Sequence, residues 1–114
     1  MHALDTARVL AKDIRETEEY KEYAACKERI DGEEGMKALI KEFKRLQMSV
    51  QMGAALGHPA SSEDQNRFQQ ISSLMFGDER TSSFIMAEMR MQRMMAEIFS
   101  ILTDASGIEM EMPV

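Results

Sequence analysis

Apolar residues recur every three or four positions along most of the chain, which is the period of an amphipathic α-helix. This spacing predicts a first helix from Leu4 to Ile14. A second helix is expected after Thr17, a good N-cap residue, because Glu18 and Glu19 place carboxylates at the positive end of the helix dipole. Strand-like alternation is absent, so the pattern predicts an all-α protein.

The third helix, from about Glu33 to Leu56, and the fifth, after Ser83 to about Ala105, are the longest predicted elements. Their apolar stripes consist of Met36, Leu39, Phe43, Leu46 and Val50 in the third helix, and of Phe84, Ala87, Met91, Met94, Ile98 and Ile101 in the fifth. Both have further apolar residues beside the stripe, including Met95 in the fifth. We expect the end of the third, with Met48, Met52 and Leu56, to be surrounded by other elements.

Beyond the junction at Thr17, three breaks separate the remaining helices. The first spans Asp31 to Gly35, the second is a loop from Gly57 to Ser62 that contains Pro59, and the third covers Gly77 to Arg80. Ser61 or Ser62 is expected to cap the fourth helix, whose predicted inner face consists of Phe68, Ile71, Leu74 and Met75. We therefore predict a small bundle of about five helices over a single domain, residues 1–114, with a short frayed ending.

The charge balance limits the classes of partner. The 114 residues carry a net charge of −6, which opposes non-specific binding to nucleic acid and to anionic lipid. No apolar run is long enough to span a bilayer, and the first residues do not form the apolar region of a signal peptide. We therefore expect a cytoplasmic protein without direct nucleic-acid or membrane contact.

Catalytic chemistry has little support in the sequence. Cys26 is the single cysteine, His2 and His58 lie far apart, and no phosphate-binding loop, nucleophile elbow or zinc-ligand motif is present. Cys26 is expected to be a half-buried structural thiol, since a nucleophile needs an activating base. We predict that the protein is not an enzyme and has no catalytic residue, cofactor or metal of its own.

Two clusters allow a second interpretation. Five methionines between Met86 and Met95 present the soft thioethers that copper(I) prefers, although a methionine-rich stripe more commonly fills a core or forms an adaptable partner surface. Lys37, Lys41 and Lys44, with the adjacent Arg45, share a helix face that resembles an RNA-binding stripe. Interleaved glutamates favour a solvated face instead.

Several segments resemble the YlbF/YmcA family of small bacterial proteins, which includes YheA-like members. The similarity is carried by Glu18–Tyr23, by the break at Asp31 and by Leu39–Gln47, and it extends over nearly the whole chain. The resemblance implies an all-α fold that self-associates and a regulatory role in competence, biofilm formation and sporulation. Some members act in a complex that modulates endoribonuclease Y and carries iron–sulfur clusters.

The cysteine-rich tail of the cluster-bearing members is missing, so no cofactor follows from the resemblance, and Cys26 could supply only one ligand to a shared cluster. We predict a non-enzymatic regulator or adaptor, a homodimer with partners in the endoribonuclease Y complex. A metal-responsive protein, using the methionines or Cys26, is the alternative. The expected partner or dimer interface consists of Met36, Leu39, Phe43, Leu46, Phe84, Met91, Met94, Met95 and Ile98.

Overall fold

The computed structural model describes residues 1–108, and its regular elements are all α-helices. The helices are α1 (His2–Arg15), α2 (Glu18–Asp31), α3 (Glu34–Ala55), α4 (Ser62–Gly77) and α5 (Glu79–Ser106). The predicted all-α class and the five helices are confirmed within this range. The predicted acidic, frayed ending lies outside the described residues from position 109 onward.

The chain divides into two compact units. The terminal unit combines residues 1–26 with residues 85–108 of the described chain, and the central unit runs from Lys27 to Phe84. The single domain over residues 1–114 stays a prediction.

The core of the central unit lies between α3 and α4. Leu46, Ile71 and Met75 are fully buried there. The ring of Phe43 stacks on Phe68 with centroids 5.5 Å apart, and it meets Phe76 edge-on at 6.2 Å. This aromatic and aliphatic packing buries apolar surface between the two helices and stabilises their contact.

Two expectations for the central unit are wrong. Leu74, predicted on the inner face of α4, is 59% exposed, because the helical turn places it to one side of Ile71 and Met75. The end of α3 is not surrounded either, since Met48, Met52 and Leu56 are 56%, 54% and 66% exposed. The periodic pattern shows which side of each helix is apolar, but it does not show which of those residues are buried by another helix.

The end of α3 depends on two glycines. Gly57 adopts a φ of +74°, and the amide of His58 donates to the carbonyl of Gly53 at 2.8 Å, as in the C-cap that follows many helices. The loop consequently crosses close to α3, so a Cβ built on Gly53 would lie 2.4 Å from the His58 carbonyl oxygen. Only glycine fits there without a backbone shift.

The junction of α4 and α5 is shorter than the sequence suggested. Helix α5 starts at Glu79, within the predicted break, so Asp78 alone separates α4 from α5. A carboxylate oxygen of Asp78 accepts from the amide of Arg80 at 2.9 Å, and hydrogen bonds from Arg80 hold the pKa of Asp78 below its usual value. Thr81, which is 1% exposed, donates its hydroxyl to the carbonyl of Met75. These caps satisfy backbone groups that a longer loop would leave to water.

Replacing Gly53 with alanine should lower the free energy of unfolding by about 1–3 kcal/mol, because the new methyl group overlaps the His58 carbonyl. Urea denaturation measures this change. Gly35→Ala, in the same helix but with nothing within 4 Å, is the matched control and should be neutral or stabilising by up to about 1 kcal/mol. Equal destabilisation by both substitutions would contradict the close approach.

Replacing Thr81 with valine keeps the shape of the side chain but removes the buried hydroxyl donor. We expect a loss of about 1–2 kcal/mol in thermal or urea denaturation, since the Met75 carbonyl loses a hydrogen-bond partner. Thr81→Ser retains the hydroxyl and should recover much of the difference. A valine variant as stable as the native protein would show that this hydrogen bond contributes nothing.

Candidate protein-interaction surface

Thr17 organises the start of the terminal unit. Its hydroxyl donates to the carbonyl of Ile14 at 2.6 Å and accepts from the amide of Tyr20 at 3.2 Å. The predicted N-cap is thereby confirmed, and the same side chain also closes the end of α1. One residue therefore sets the local path of the chain between the two helices.

The first helix is amphipathic, yet none of its residues is buried. Leu4, Ala7 and Ala11 on its apolar side are exposed, and Leu10 and Ile14 are only partly covered. Asp5 and Arg8 pair at 2.9 Å on a different side of the helix. The apolar side of α1 is consequently available for contacts that the described chain does not make.

The apolar stripe of α5 changes from core to surface along its length. At 100° per residue, the positions Phe84, Ala87, Met91, Met95, Ile98 and Leu102 fall within an arc of about 80°. Phe84 is 6% exposed and Ala87 fully buried, whereas Met95 is 41% and Leu102 54% exposed. We call Met91, Met95, Ile98 and Leu102 the distal α5 face.

The nine residues predicted for an interface fall into three groups by burial. Phe43, Leu46 and Phe84 are buried within the chain, so their side chains serve its own core. Met36, Leu39, Met91, Met94 and Ile98 are half-buried, and Met95 is exposed. That any of them contacts a partner stays a prediction. Leu4 of α1 and Leu102 of α5 are not among the nine, although each lies at helical spacing from apolar neighbours and is 54% exposed.

A groove in the terminal unit borders the distal α5 face. It is lined by Glu19, Arg90, Arg93, Met94 and Glu97, and Arg90 forms an ion pair with Glu22 of α2. Two arginines and two glutamates leave its lining without a net charge, so the groove has no preference for an anion or a cation.

The described residues contain no group of three or more His, Cys, Asp or Glu placed to hold a metal ion. Met86 and Met89 lie on the opposite side of α5 from Met91, Met94 and Met95, so the five thioethers cannot converge on one ion. Cys26 is 3% exposed, more deeply buried than expected. Among these residues, no helix combines the length and apolar character that crossing a membrane requires.

Comparison with known proteins identifies similar chains of matching length. A UPF0342 protein of Staphylococcus aureus strain JH9 is 30% identical over 98 residues, which is 86% of each chain. Another UPF0342 protein, from Symbiobacterium thermophilum, is 24% identical over 106 residues, 93% of this chain and 95% of the relative.

A solved structure shares the fold. A chain in the crystal structure of Bacillus subtilis RicA in complex with RicF matches with a TM-score of 0.59 and 18% identity, covering 95% of this chain and 97% of that one. A family model described as "Control of competence regulator ComK, YlbF/YmcA" matches residues 3–105. Since that range includes all but the first and last residues of the five helices, the chain belongs to the YlbF/YmcA family.

Proposed function

We propose that this protein is a non-enzymatic, cytoplasmic regulator that acts through protein contacts, and that the distal α5 face makes them. The observation that carries the proposal is the apolar stripe of α5, which passes from the buried Ala87 to the exposed Met95 and Leu102 without a change of chemistry. A solvent-facing surface needs no such continuation, whereas a helix that packs against a partner does.

The uncovered apolar side of α1 belongs to the same unit and extends the proposal. Leu4 is 54% exposed there, and the neighbouring turns add Ala7 and Ala11. Alanines permit close approach of another helix, while the long side chains of Met95 and Leu102 adapt to its shape. We infer that a second copy of the chain covers these surfaces in a homodimer.

The family supports a regulatory role. The description of the family model names control of a competence regulator. The crystal structure of RicA with RicF shows that a protein with this fold forms a complex with a different protein. We infer that the present protein takes part in control of competence, biofilm formation and sporulation through the endoribonuclease Y regulatory complex, as the family resemblance implies. We expect it to join that complex as the homodimer that the distal α5 face forms.

Introducing charge on this face should abolish association. The double variant Met95→Glu with Leu102→Glu places two carboxylates in the exposed stripe, where a partner would have to desolvate them. Light scattering should give twice the 13.0 kDa chain mass for the native protein and a single chain mass for the variant. Met89→Glu, on the other side of α5 at 51% exposure, is the matched control and should remain dimeric.

A native protein of single-chain mass at high concentration would contradict self-association, and a double variant that remains dimeric would contradict the placement of the interface on the distal α5 face. Circular dichroism establishes that each variant is folded, which its exposed positions favour.

The regulatory part is tested separately by affinity capture from the native host at its normal expression level. Endoribonuclease Y components should come with the native protein and with Met89→Glu but not with the double variant; their absence from the native sample would remove the assignment to that complex.

A further inference from the structure

The outward side of α3 carries a surface that the proposed function does not use. Ile40, Phe43 and Leu46 mark the buried side of this helix. The opposite side, spanning an arc of about 120°, is formed by Lys37, Lys41, Lys44, Arg45, Met48, Met52, Ala55 and Leu56. We call this set the outer α3 face; it lies entirely in the central unit.

The outer α3 face has two halves arranged along the helix axis. From position 37 to 45 it is cationic, and from 48 to 56 it is apolar, so that at 1.5 Å per residue each half is about 12 Å long. Met48, Met52 and Leu56 each expose more than half of their surface, at 56%, 54% and 66%. An outward helix face is usually polar throughout, and three large apolar residues in succession depart from that pattern.

The cationic half is a local exception in a chain of net charge −6. Glu42, the nearest carboxylate in sequence, is engaged on a different side, where Arg67 of α4 donates to its two oxygens at 3.2 and 3.4 Å. Those hydrogen bonds hold the pKa of Glu42 below its usual value, so it stays ionised and paired with Arg67. Within the cationic half, Lys37 pairs with Glu34 at 3.7 Å, Lys44 lies over the ring of Phe84, and the charge of Arg45 also helps to lower the pKa of Glu42. Lys41 and Arg45 are exposed, and they are the cations of this half that a partner's carboxylates would meet.

We propose that the outer α3 face docks an amphipathic helix of another protein that is acidic in one half and apolar in the other. Charge complementarity places the partner's carboxylates beside Lys41 and Arg45. Its apolar residues, spaced three or four apart, would then cover Met48 and Met52, whose flexible side chains adapt to the contact. The whole face is about 28 Å long and matches a partner helix of about five turns.

The same face suits nucleic acid and lipid less well. A phosphate backbone would pair with the cationic half but leave the apolar half uncovered, and that half presents no aromatic ring on which a base could stack. The net charge of the chain repels anionic lipid as well as nucleic acid. A protein helix is the partner that uses both halves at once.

The test uses the full chain and a labelled synthetic helix of 18 residues, with glutamates in one half and leucines at helical spacing in the other, made in both orientations. Fluorescence anisotropy should show binding in one orientation, and Met52→Glu should weaken it at least tenfold. Leu74→Glu, a change at a comparably exposed site on α4, is the matched control and should bind as the native protein does.

A charge exchange gives the sharper result. The variant Lys41→Glu with Arg45→Glu should no longer bind the acidic synthetic helix. It should instead bind a synthetic helix whose glutamates are replaced by lysines. Binding should also survive Met95→Glu with Leu102→Glu, which separates this surface from the distal α5 face. Failure of both orientations of the acidic helix to bind the native chain, binding unchanged by Met52→Glu, or tighter binding of phosphatidylglycerol vesicles or a single-stranded RNA at this face would overturn the proposal.

Discussion

The apolar stripe of a helix is stable only when another surface covers it, and this constraint shapes the whole protein. In the central unit α3 and α4 satisfy it mutually, because Leu46, Ile71 and Met75 exclude water completely and Phe43 packs its ring between Phe68 and Phe76. In the terminal unit the requirement is only partly met, since α1 buries no residue and α5 exposes Leu102. The structure thus contains a closed core and an open one.

Short connections with side-chain caps keep the helices in place. Thr17 bonds to both α1 and α2, and Ser61 accepts from the amide of Asp64 at the start of α4. At the junction of α4 and α5, Asp78 accepts from the amide of Arg80 and Thr81 donates to the carbonyl of Met75. At the end of α3, Gly53 allows the following loop to lie against the helix. Each of these connections satisfies backbone groups locally, so the loops between the helices are short.

The two exposed apolar surfaces differ in chemistry, and this difference favours different partners. The distal α5 face is purely apolar and borders a groove whose charges balance, which suits a second copy with the same surface. On the outer α3 face, a cationic half is followed along the helix axis by an apolar half that contains two methionines. This arrangement suits an acidic amphipathic helix. A small regulator with both surfaces could associate with itself and with a target at the same time.

The sequence by itself determined the helices and most of their ends. Periodicity and capping depend on residues three or four apart, so the fold class and the caps at Thr17 and Ser61 followed from local pattern alone. The start of α5 at Glu79 differs from the prediction although its signal is local, since Asp78 is a common N-cap residue whose carboxylate accepts from the amide of Arg80. The resemblance to the YlbF/YmcA family was also available from the sequence.

The tertiary structure alone decided which apolar residues are covered. Phe43 and Met48 look equally suited to a core, but the direction in which α4 packs buries the first and leaves the second exposed. Phe84 and Met95 lie within the same 80° arc of α5 and differ in the same way. Helical period assigns a residue to a side of its helix, whereas burial depends on what lies opposite, and that is set by contacts between residues distant in the chain.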